Sequence, residues 1–300
     1  MRHPIRTSLL AALCCAVCLV LESAETAWPR AGLLISPEAL APTAKDFVIV
    51  DAREKKAFEE SRIPGAVWAD AAAWTKAFGE GKDAALWSGR IGALGIGRGT
   101  KVVVYDDSVK DAARIWWILR YWGVEDRRLL DGGWRGWKGA GQAVETKAPG
   151  APKAAVFGAN AQAGRLATKA KILGSLKEGS LQLVDARSEG EFCGKDKLSN
   201  RRGGSIPGAK HLDWTDLIDG KTLRFKGPGE LKRLFQEAGI SLERPTAAYC
   251  QSGGRASVMA FGLELMGSKD VANYHPSWAE WGNAEDTPVE PGKPRGKKAD

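Results

Sequence analysis

Short apolar runs alternate along this chain with longer stretches of helical periodicity. Residues 47–50 and 181–184 are apolar runs that suit buried strands of a parallel sheet, and residues 102–105 and 246–249 are similar. Strands that alternate with helices are typical of βα units. The pattern therefore predicts an α/β fold with mainly parallel sheets flanked by helices.

The stretches between the strands contain helix signals. Leu231, Leu234, Phe235 and Ala238 share one helical face, and Gly239 follows as a natural stop. Residues 112–121, rich in Ile, Leu and Trp, predict a buried helix after a strand. The Trp residues are expected to pack in the core and at the domain interface rather than to bind a ligand.

The chain contains an internal duplication, because the same landmarks occur twice in the same order. The matching segments are VDAR at 50–53 and 184–187, IPGA at 63–66 and 206–209, LGI at 94–96 with AGI at 238–240, VVVY at 102–105 with TAAY at 246–249, and WRGW at 134–137 with WAEW at 278–281. We therefore predict two tandem domains, residues 28–138 and 164–290, with a linker at 139–163 and a disordered tail at 291–300.

The N-terminal residues predict an export signal. Arg2 and Arg6 provide a positive n-region, and residues 9–21 are an uninterrupted apolar stretch that is short for a membrane span. We expect residues 1–24 to be a signal peptide and the mature protein to be periplasmic and free of the membrane. A retained N-terminal anchor is the alternative.

Composition narrows the possible partners. Hydrophobic residues make up 44% and charged residues 27%, and the net charge of +8 comes from scattered basic residues. This distribution is typical of a globular protein that does not bind nucleic acid, and we expect a monomer. Without the signal, Cys193 and Cys250 are the remaining cysteines, and the histidines include no pair at i, i+4. These counts predict neither a disulfide framework nor a metal site.

The candidate chemistry lies in one loop. Cys250 follows the strand at 246–249, and Gln251, Ser252, Gly253, Gly254 and Arg255 connect it to a predicted helix. Ligands of open α/β sheets bind at this carboxyl edge, and successive loop N–H groups at a helix N-terminus attract anions. Such a setting, with a cation from Arg255, favours a thiolate nucleophile. The alternative is a small buried cysteine in a tight turn.

The first repeat provides an internal control for this loop. Asp106 stands where Cys250 stands in the second repeat, and Asp107 and Asp111 follow it. A carboxylate cannot carry sulfur, and the additional acids repel an anion. We therefore expect the first domain to be inactive and the second to be catalytic.

These segments resemble the tandem-domain rhodaneses, the thiosulfate and 3-mercaptopyruvate sulfurtransferase family. The resemblance runs from about Leu33 to Trp281 and rests on the paired DAR and IPGA segments, on LDGGW at 130–134 and on the 250–255 loop. It implies two rhodanese-like domains, a persulfide at Cys250, no cofactor and an active site between the domains. It further implies that Arg187 orients the substrate.

The roles of several residues stay open at this stage. Arg187 either binds the donor anion or pairs with an acid such as Glu191, and Arg53 occupies the same place in the inactive repeat. Ser252 either hydrogen-bonds the outer sulfur or caps the loop. Cys193 is either a resolving thiol or a bystander. The pair HP at 275–276 replaces the usual Asp-Gly of the family, and the sequence offers no physical reason for it.

The function expected from the sequence is sulfur transfer from a small anionic donor, thiosulfate or 3-mercaptopyruvate, to cyanide or a thiol. One alternative is a non-catalytic sulfide-binding or partner-docking module. Another is a cysteine-dependent phosphatase or arsenate reductase, which commonly has five residues between Cys and Arg. Here four residues separate Cys250 from Arg255, and this smaller loop favours sulfur.

Overall fold

The structure is a computed structural model that describes residues 27–79 and 81–294. The predicted signal peptide at residues 1–24, with its alternative of a retained anchor, lies outside this range. Within the described residues, no helix combines the length and the apolar character that a membrane crossing requires.

Each repeat is built on its own parallel sheet. The strand order is β1-β5-β4-β2-β3 in the first sheet and β7-β6-β8-β9 in the second. The strands are β1 (Leu34–Ile35), β2 (Val48–Asp51), β3 (Val67–Trp68), β4 (Val102–Tyr105), β5 (Arg127–Leu130), β6 (Gln182–Asp185), β7 (Lys210–His211), β8 (Thr246–Tyr249) and β9 (Val271–Asn273). A parallel bridge from Leu166 to Asn273 occupies the place of β1 in the second sheet. The predicted pair of mainly parallel α/β units is confirmed.

Helices cover both sheets. The α-helices are α1 (Pro37–Leu40), α2 (Lys55–Glu60), α3 (Ala71–Phe78), α4 (Ala84–Ala93), α5 (Lys110–Tyr121), α6 (Gly133–Gly139), α7 (Lys169–Glu178), α8 (Glu189–Phe192), α9 (Pro228–Glu237), α10 (Gly254–Leu265) and α11 (Ser277–Trp281). Short 3₁₀ turns lie at Ala31–Leu33, Ala41–Asp46, Ala163–Arg165 and Trp214–Leu217. In α9 the predicted apolar face is buried at Leu231 and Phe235, and Gly239 follows with a φ of +68°.

The two central helices α5 and α10 pack against each other across the domain interface. Trp116 of α5 meets Phe261 of α10 edge to face, with ring centroids 4.9 Å apart. Arg114, early in α5, contacts Gly254 at the start of α10, and Arg120, late in α5, pairs with the buried Glu264 at 2.6 Å. The two helices therefore run side by side in the same direction, and the loops that precede them face the same cleft.

The connection between the repeats and the start of the tail are both held by backbone hydrogen bonds. Residues 140–162 contain no helix or strand apart from a β-bridge between Arg62 and Glu145. Asn160 donates its N–H to the carbonyl of Trp122 at 3.1 Å. Gly292, at the start of the predicted tail, donates its N–H to the carbonyl of Phe192 at 3.1 Å.

Candidate active site

Cys250 lies at the carboxyl end of β8, under the N-terminus of α10. The residue is 2% exposed. Its N–H donates to Oγ of Ser277 at 3.0 Å, and its carbonyl accepts the N–H of Trp278 at 2.9 Å. Its backbone is therefore fixed from both sides by the segment that follows β9.

Asp106 shows how this type of loop holds an anion. Its carboxylate accepts backbone N–H groups at distances from 2.6 to 3.2 Å, and the donors are Ser108, Val109, Asp111 and Ala112. Burial raises the pKa of Asp106 to about 6, and these N–H groups partly oppose the effect. The first repeat thus fills its own anion cradle with a side chain.

The second loop has the same backbone form. The residue before the helix is left-handed in both repeats, with φ of +73° at Val109 and +82° at Gly253, and each helix has 12 residues. The N–H groups that match the donors to Asp106 belong to Ser252, Gly253, Arg255 and Ala256. Here the carboxylate of Asp106 stands in for the thiolate or persulfide that Cys250 would place in the cradle.

Two loop residues have to be glycine because other groups pack against them. A Cβ on Gly253 would lie 2.9 Å from Cδ2 of His275, and one on Gly254 would overlap the guanidinium of Arg114. Both glycines therefore allow close packing beside the cradle, and the φ of Gly253 adds a conformational reason.

Arg255 provides a cation at the end of the loop, and this cation is paired with a carboxylate. Its guanidinium donates to both carboxylate oxygens of Glu191, at 2.6 and 2.8 Å. Burial tends to raise the pKa of Glu191, but the hydrogen bond and charge of Arg255 hold it below its ordinary value. The pair is therefore ionised and close to neutral overall.

Arg187 lies in a buried hydrogen-bond network, which favours the structural role of the two that the sequence left open. It is 1% exposed, and its guanidinium bonds the carboxylate of Asp185 at 2.6 to 3.1 Å. It also donates to the carbonyl of Gly204 and lies over the ring of Trp278 at 4.3 Å. Arg53 repeats this arrangement with Asp51 and Trp134 in the first domain. Both repeats contain this network, and in each of them the guanidinium bonds groups of its own domain.

Gln251 and Ser252 have different environments. The Gln251 amide exchanges hydrogen bonds with the Asn200 amide at 3.0 and 3.1 Å, so this side chain anchors the loop. Ser252 is exposed and lines a cleft of about 780 Å³ whose other walls come from the first domain, including Arg114 and Asp106. Ser252 is therefore the loop residue that a molecule in the cleft meets.

Ser277 is a site residue that the sequence reasoning missed. Its φ is +56°, in the left-handed region, and the matching residue of the first repeat is Gly133 with a φ of +52°. Its hydroxyl accepts the Cys250 N–H and donates to the Tyr274 carbonyl at 2.6 Å. The change from glycine in the first repeat to serine in the second was the signal that could have identified it.

His275, whose presence the sequence left unexplained, packs on the first domain. Its ring stacks on Trp117 at 5.5 Å and lies 4.8 Å from Phe78. Burial, followed by the charge of Arg114, lowers the pKa of His275 to about 3, so the ring is neutral. The matching Asp131 also faces the opposite domain and accepts the N–H of Phe225 at 3.0 Å. This position serves domain docking in both repeats, and a neutral ring suits the aromatic surroundings.

Cys193 ends α8 and is partly buried, with a free thiol. Burial and the nearby Glu189 raise the pKa of this thiol above its ordinary value, which makes it a weaker nucleophile. Among the described residues, no cluster of three or more His, Cys, Asp or Glu side chains is arranged to hold a metal ion.

Comparison with known proteins agrees with this geometry. A family model described as Rhodanese-like domain matches residues 37–140 and 168–284. The chain belongs to the rhodanese-like family. The prediction of this family and of its two-domain fold is confirmed.

Curated members of the rhodanese-like family that match the chain are sulfurtransferases. The 3-mercaptopyruvate sulfurtransferase of Mus musculus is 35% identical over 77% of this chain and 80% of its own length. The thiosulfate sulfurtransferase of Cricetulus griseus is 35% identical over 64% of this chain and 66% of its own length. The prediction of an enzyme of this class is confirmed at the level of the family.

Solved structures show the same fold. The crystal structure of YnjE has a TM-score of 0.79 and 26% identity, covering 89% of this chain and 70% of that chain. The wild-type structure of EanB has a TM-score of 0.79 and 23% identity, covering 88% and 70%, which supports the fold alone.

Proposed function

We propose that this protein is a sulfurtransferase that moves a sulfane sulfur from a small anionic donor to cyanide or a thiol through a persulfide on Cys250. The observation that carries the proposal is the cradle itself. The first repeat binds its own carboxylate through backbone N–H groups at 2.6 to 3.2 Å, and the second repeat places a cysteine at that position.

The proposed reaction with thiosulfate has two displacements. The Cys250 thiolate attacks the outer sulfur, the S–S bond of thiosulfate breaks, and sulfite leaves with the electron pair. Cyanide then attacks the outer sulfur of the persulfide, thiocyanate forms, and the thiolate returns. No external oxidant is needed, because the sulfane sulfur carries its oxidation state from donor to acceptor.

The residues around the loop have defined tasks in this proposal. The N–H groups of Ser252, Gly253, Arg255 and Ala256 stabilise the charge on the sulfur. Ser277 holds the Cys250 backbone, and the Arg255–Glu191 pair fixes the end of the loop. Ser252 is exposed and hydrogen-bonds the donor at the loop.

The assay that tests this function measures thiocyanate formed from cyanide, with thiosulfate and 3-mercaptopyruvate supplied separately. We expect activity with at least one donor, complete loss in Cys250→Ser, and retention in Cys193→Ser as the matched control. Activity that survives Cys250→Ser would overturn the proposal. Absence of transfer from either donor would favour a sulfide-binding module, or a phosphatase if phosphate esters are cleaved instead.

Export to the periplasm, action as a monomer and freedom from the membrane after signal cleavage are further parts of the proposal. The basic and apolar pattern of residues 1–24 supports export and signal cleavage. The mass of the protein recovered from the periplasm, and its elution in size-exclusion chromatography, test them together. Recovery of the full-length chain in the membrane fraction would show a retained anchor.

A further inference from the structure

Arg114 reaches from the first domain into the Cys250 loop. It lies in the second turn of α5, and its Nη1 donates to the carbonyl of Ser252 at 2.9 Å. Its guanidinium also packs on Gly254, where a Cβ would lie 2.9 Å from its Cζ. The residue is 7% exposed, so this contact across the interface is held in a nearly dry environment.

The hydrogen bond to Ser252 sets the orientation of the next amide. The carbonyl of Ser252 and the N–H of Gly253 belong to one trans peptide and point in opposite directions. Because Arg114 holds the carbonyl on the interface side, the N–H of Gly253 turns towards the cradle. The matching N–H of Val109 makes the 2.6 Å bond to Asp106 in the first repeat, the shortest of the backbone bonds that hold this carboxylate.

Arg114 is also poorly compensated for charge. Its Nε is 3.8 Å from the partly exposed carboxylate of Asp111, and this buried Nε has no hydrogen-bond partner among the described residues. Arg255, by contrast, forms a bidentate pair with Glu191, and His275 beside Arg114 is neutral. Burial lowers the pKa of Arg114, and negative charge on Cys250 acts against this effect, so the two groups lie within electrostatic reach.

We propose that Arg114 is a positioning residue for the Cys250 site, through which the inactive first domain orients the loop and adds positive charge beside the sulfur. Arg114 is the fifth residue of α5, and the fifth residue of α10 is Val258. The second domain therefore has no arginine at the matching position that could act on the loop of the first domain. This inference rests on the proposed role of Cys250 as the nucleophile. It gives the first domain a task in the reaction although that domain has no nucleophile of its own.

The test uses the full mature chain in a Cys193→Ser background. Thiolate absorbance of Cys250, taken as the difference from Cys250→Ser, is followed against pH, and kcat and KM for thiosulfate are measured with cyanide. We expect Arg114→Met to raise the pH midpoint by about one unit and to lower kcat about tenfold. Arg114→Lys is expected to restore most of the midpoint, because it keeps the positive charge. It is expected to leave kcat reduced, because an ammonium group cannot both bond the Ser252 carbonyl and pack on Gly254 as the planar guanidinium does.

The matched control is Arg135→Met. Arg135 also donates across the interface from the first domain, to the carbonyl of Lys221 at 3.2 Å, but away from the loop. We expect this variant to keep the wild-type midpoint and kcat. A folded Arg114→Met with an unchanged midpoint and kcat would overturn the inference, and so would an Arg135→Met that shifts them equally.

Two further outcomes are distinguishable. If Arg114→Met does not fold by circular dichroism, Arg114→Lys decides: a wild-type kcat contradicts the orienting role, and a reduced kcat with a restored midpoint supports it. If the wild-type protein transfers no sulfur, the proposed function fails. The pH midpoint still shows whether Arg114 acts on Cys250.

Discussion

Arg255 and Glu191 form a two-point ion pair that ties the end of the Cys250 loop to the short helix α8, with N–O distances of 2.6 and 2.8 Å. Glu191 also forms a capping box with Ser188 at the start of that helix. One carboxylate therefore organises both the helix and the loop. The positive charge of Arg255 is thus compensated by Glu191 within the second domain.

Replacement of Glu191 by Gln tests this pair. The variant leaves the guanidinium of Arg255 partly buried without its counter-ion, so we expect the free energy of unfolding to fall by about 1–3 kcal/mol. Urea denaturation measures the change. Glu189→Gln, an exposed change on the same helix, is the control and is expected to stay within about 0.5 kcal/mol of wild type. Equal effects of the two changes would contradict a specific role for the pair.

Ser277 offers a pair of variants that separate strain from hydrogen bonding. Ser277→Ala keeps a side chain at a φ of +56° and loses the acceptor for the Cys250 N–H, whereas Ser277→Gly loses the acceptor but adopts this φ freely. We expect the Ala variant to be less stable than the Gly variant by about 1 kcal/mol in thermal unfolding.

Both Ser277 variants should transfer sulfur about tenfold more slowly than wild type, because the Cys250 backbone loses its fixed position. Steady-state thiocyanate formation checks this. Wild-type rates in both variants would show that the hydroxyl does not matter for the cysteine, whatever the stability data show.

The pH dependence of stability has a contribution from Asp131. Burial raises the pKa of this carboxyl to about 6, and the Phe225 N–H partly opposes the effect. Since the folded state favours the protonated form, its stabilising contribution is complete below the unfolded pKa of about 4 and is lost as the pH rises through 6.

Asp131→Asn keeps an acceptor for the Phe225 N–H and removes the ionisation. The difference in unfolding free energy, wild type minus variant, is therefore expected to change with pH. We expect it to fall by about 1–3 kcal/mol between about pH 4 and about pH 7. Urea denaturation across this range measures it. A difference that stays constant or increases with pH would contradict the raised pKa.

Much of the fold followed from the sequence because the duplication marks equivalent strands in both halves. The strands at 102–105 and 246–249 match β4 and β8 residue for residue, and the buried helix at 112–121 lies within α5. The spacing of apolar residues along the chain indicates which residues of a strand or helix are buried within its own domain. The cysteine loop was equally visible, because its glycines and its place after a strand are local features.

The contacts between the domains could not be predicted in the same way. Arg114 lies inside an apolar helix, and nothing in its neighbours indicates that it reaches Ser252 in the other repeat. Arg187 is a related case: the family resemblance implied a substrate contact, while Arg53 at the same place in the first repeat left a structural role open. The structure shows that each arginine bonds the aspartate two residues before it. The surfaces through which the two domains contact each other depend on how the whole domains pack. A short sequence pattern does not contain this information.

Intact mass spectrometry shows whether Cys250 carries the sulfur. The mature protein is incubated with thiosulfate or 3-mercaptopyruvate, desalted and weighed before and after addition of cyanide. We expect a gain of one sulfur atom that cyanide reverses, that persists in Cys193→Ser and that is absent in Cys250→Ser. A gain that persists in Cys250→Ser, or no gain from either donor, would contradict this expectation.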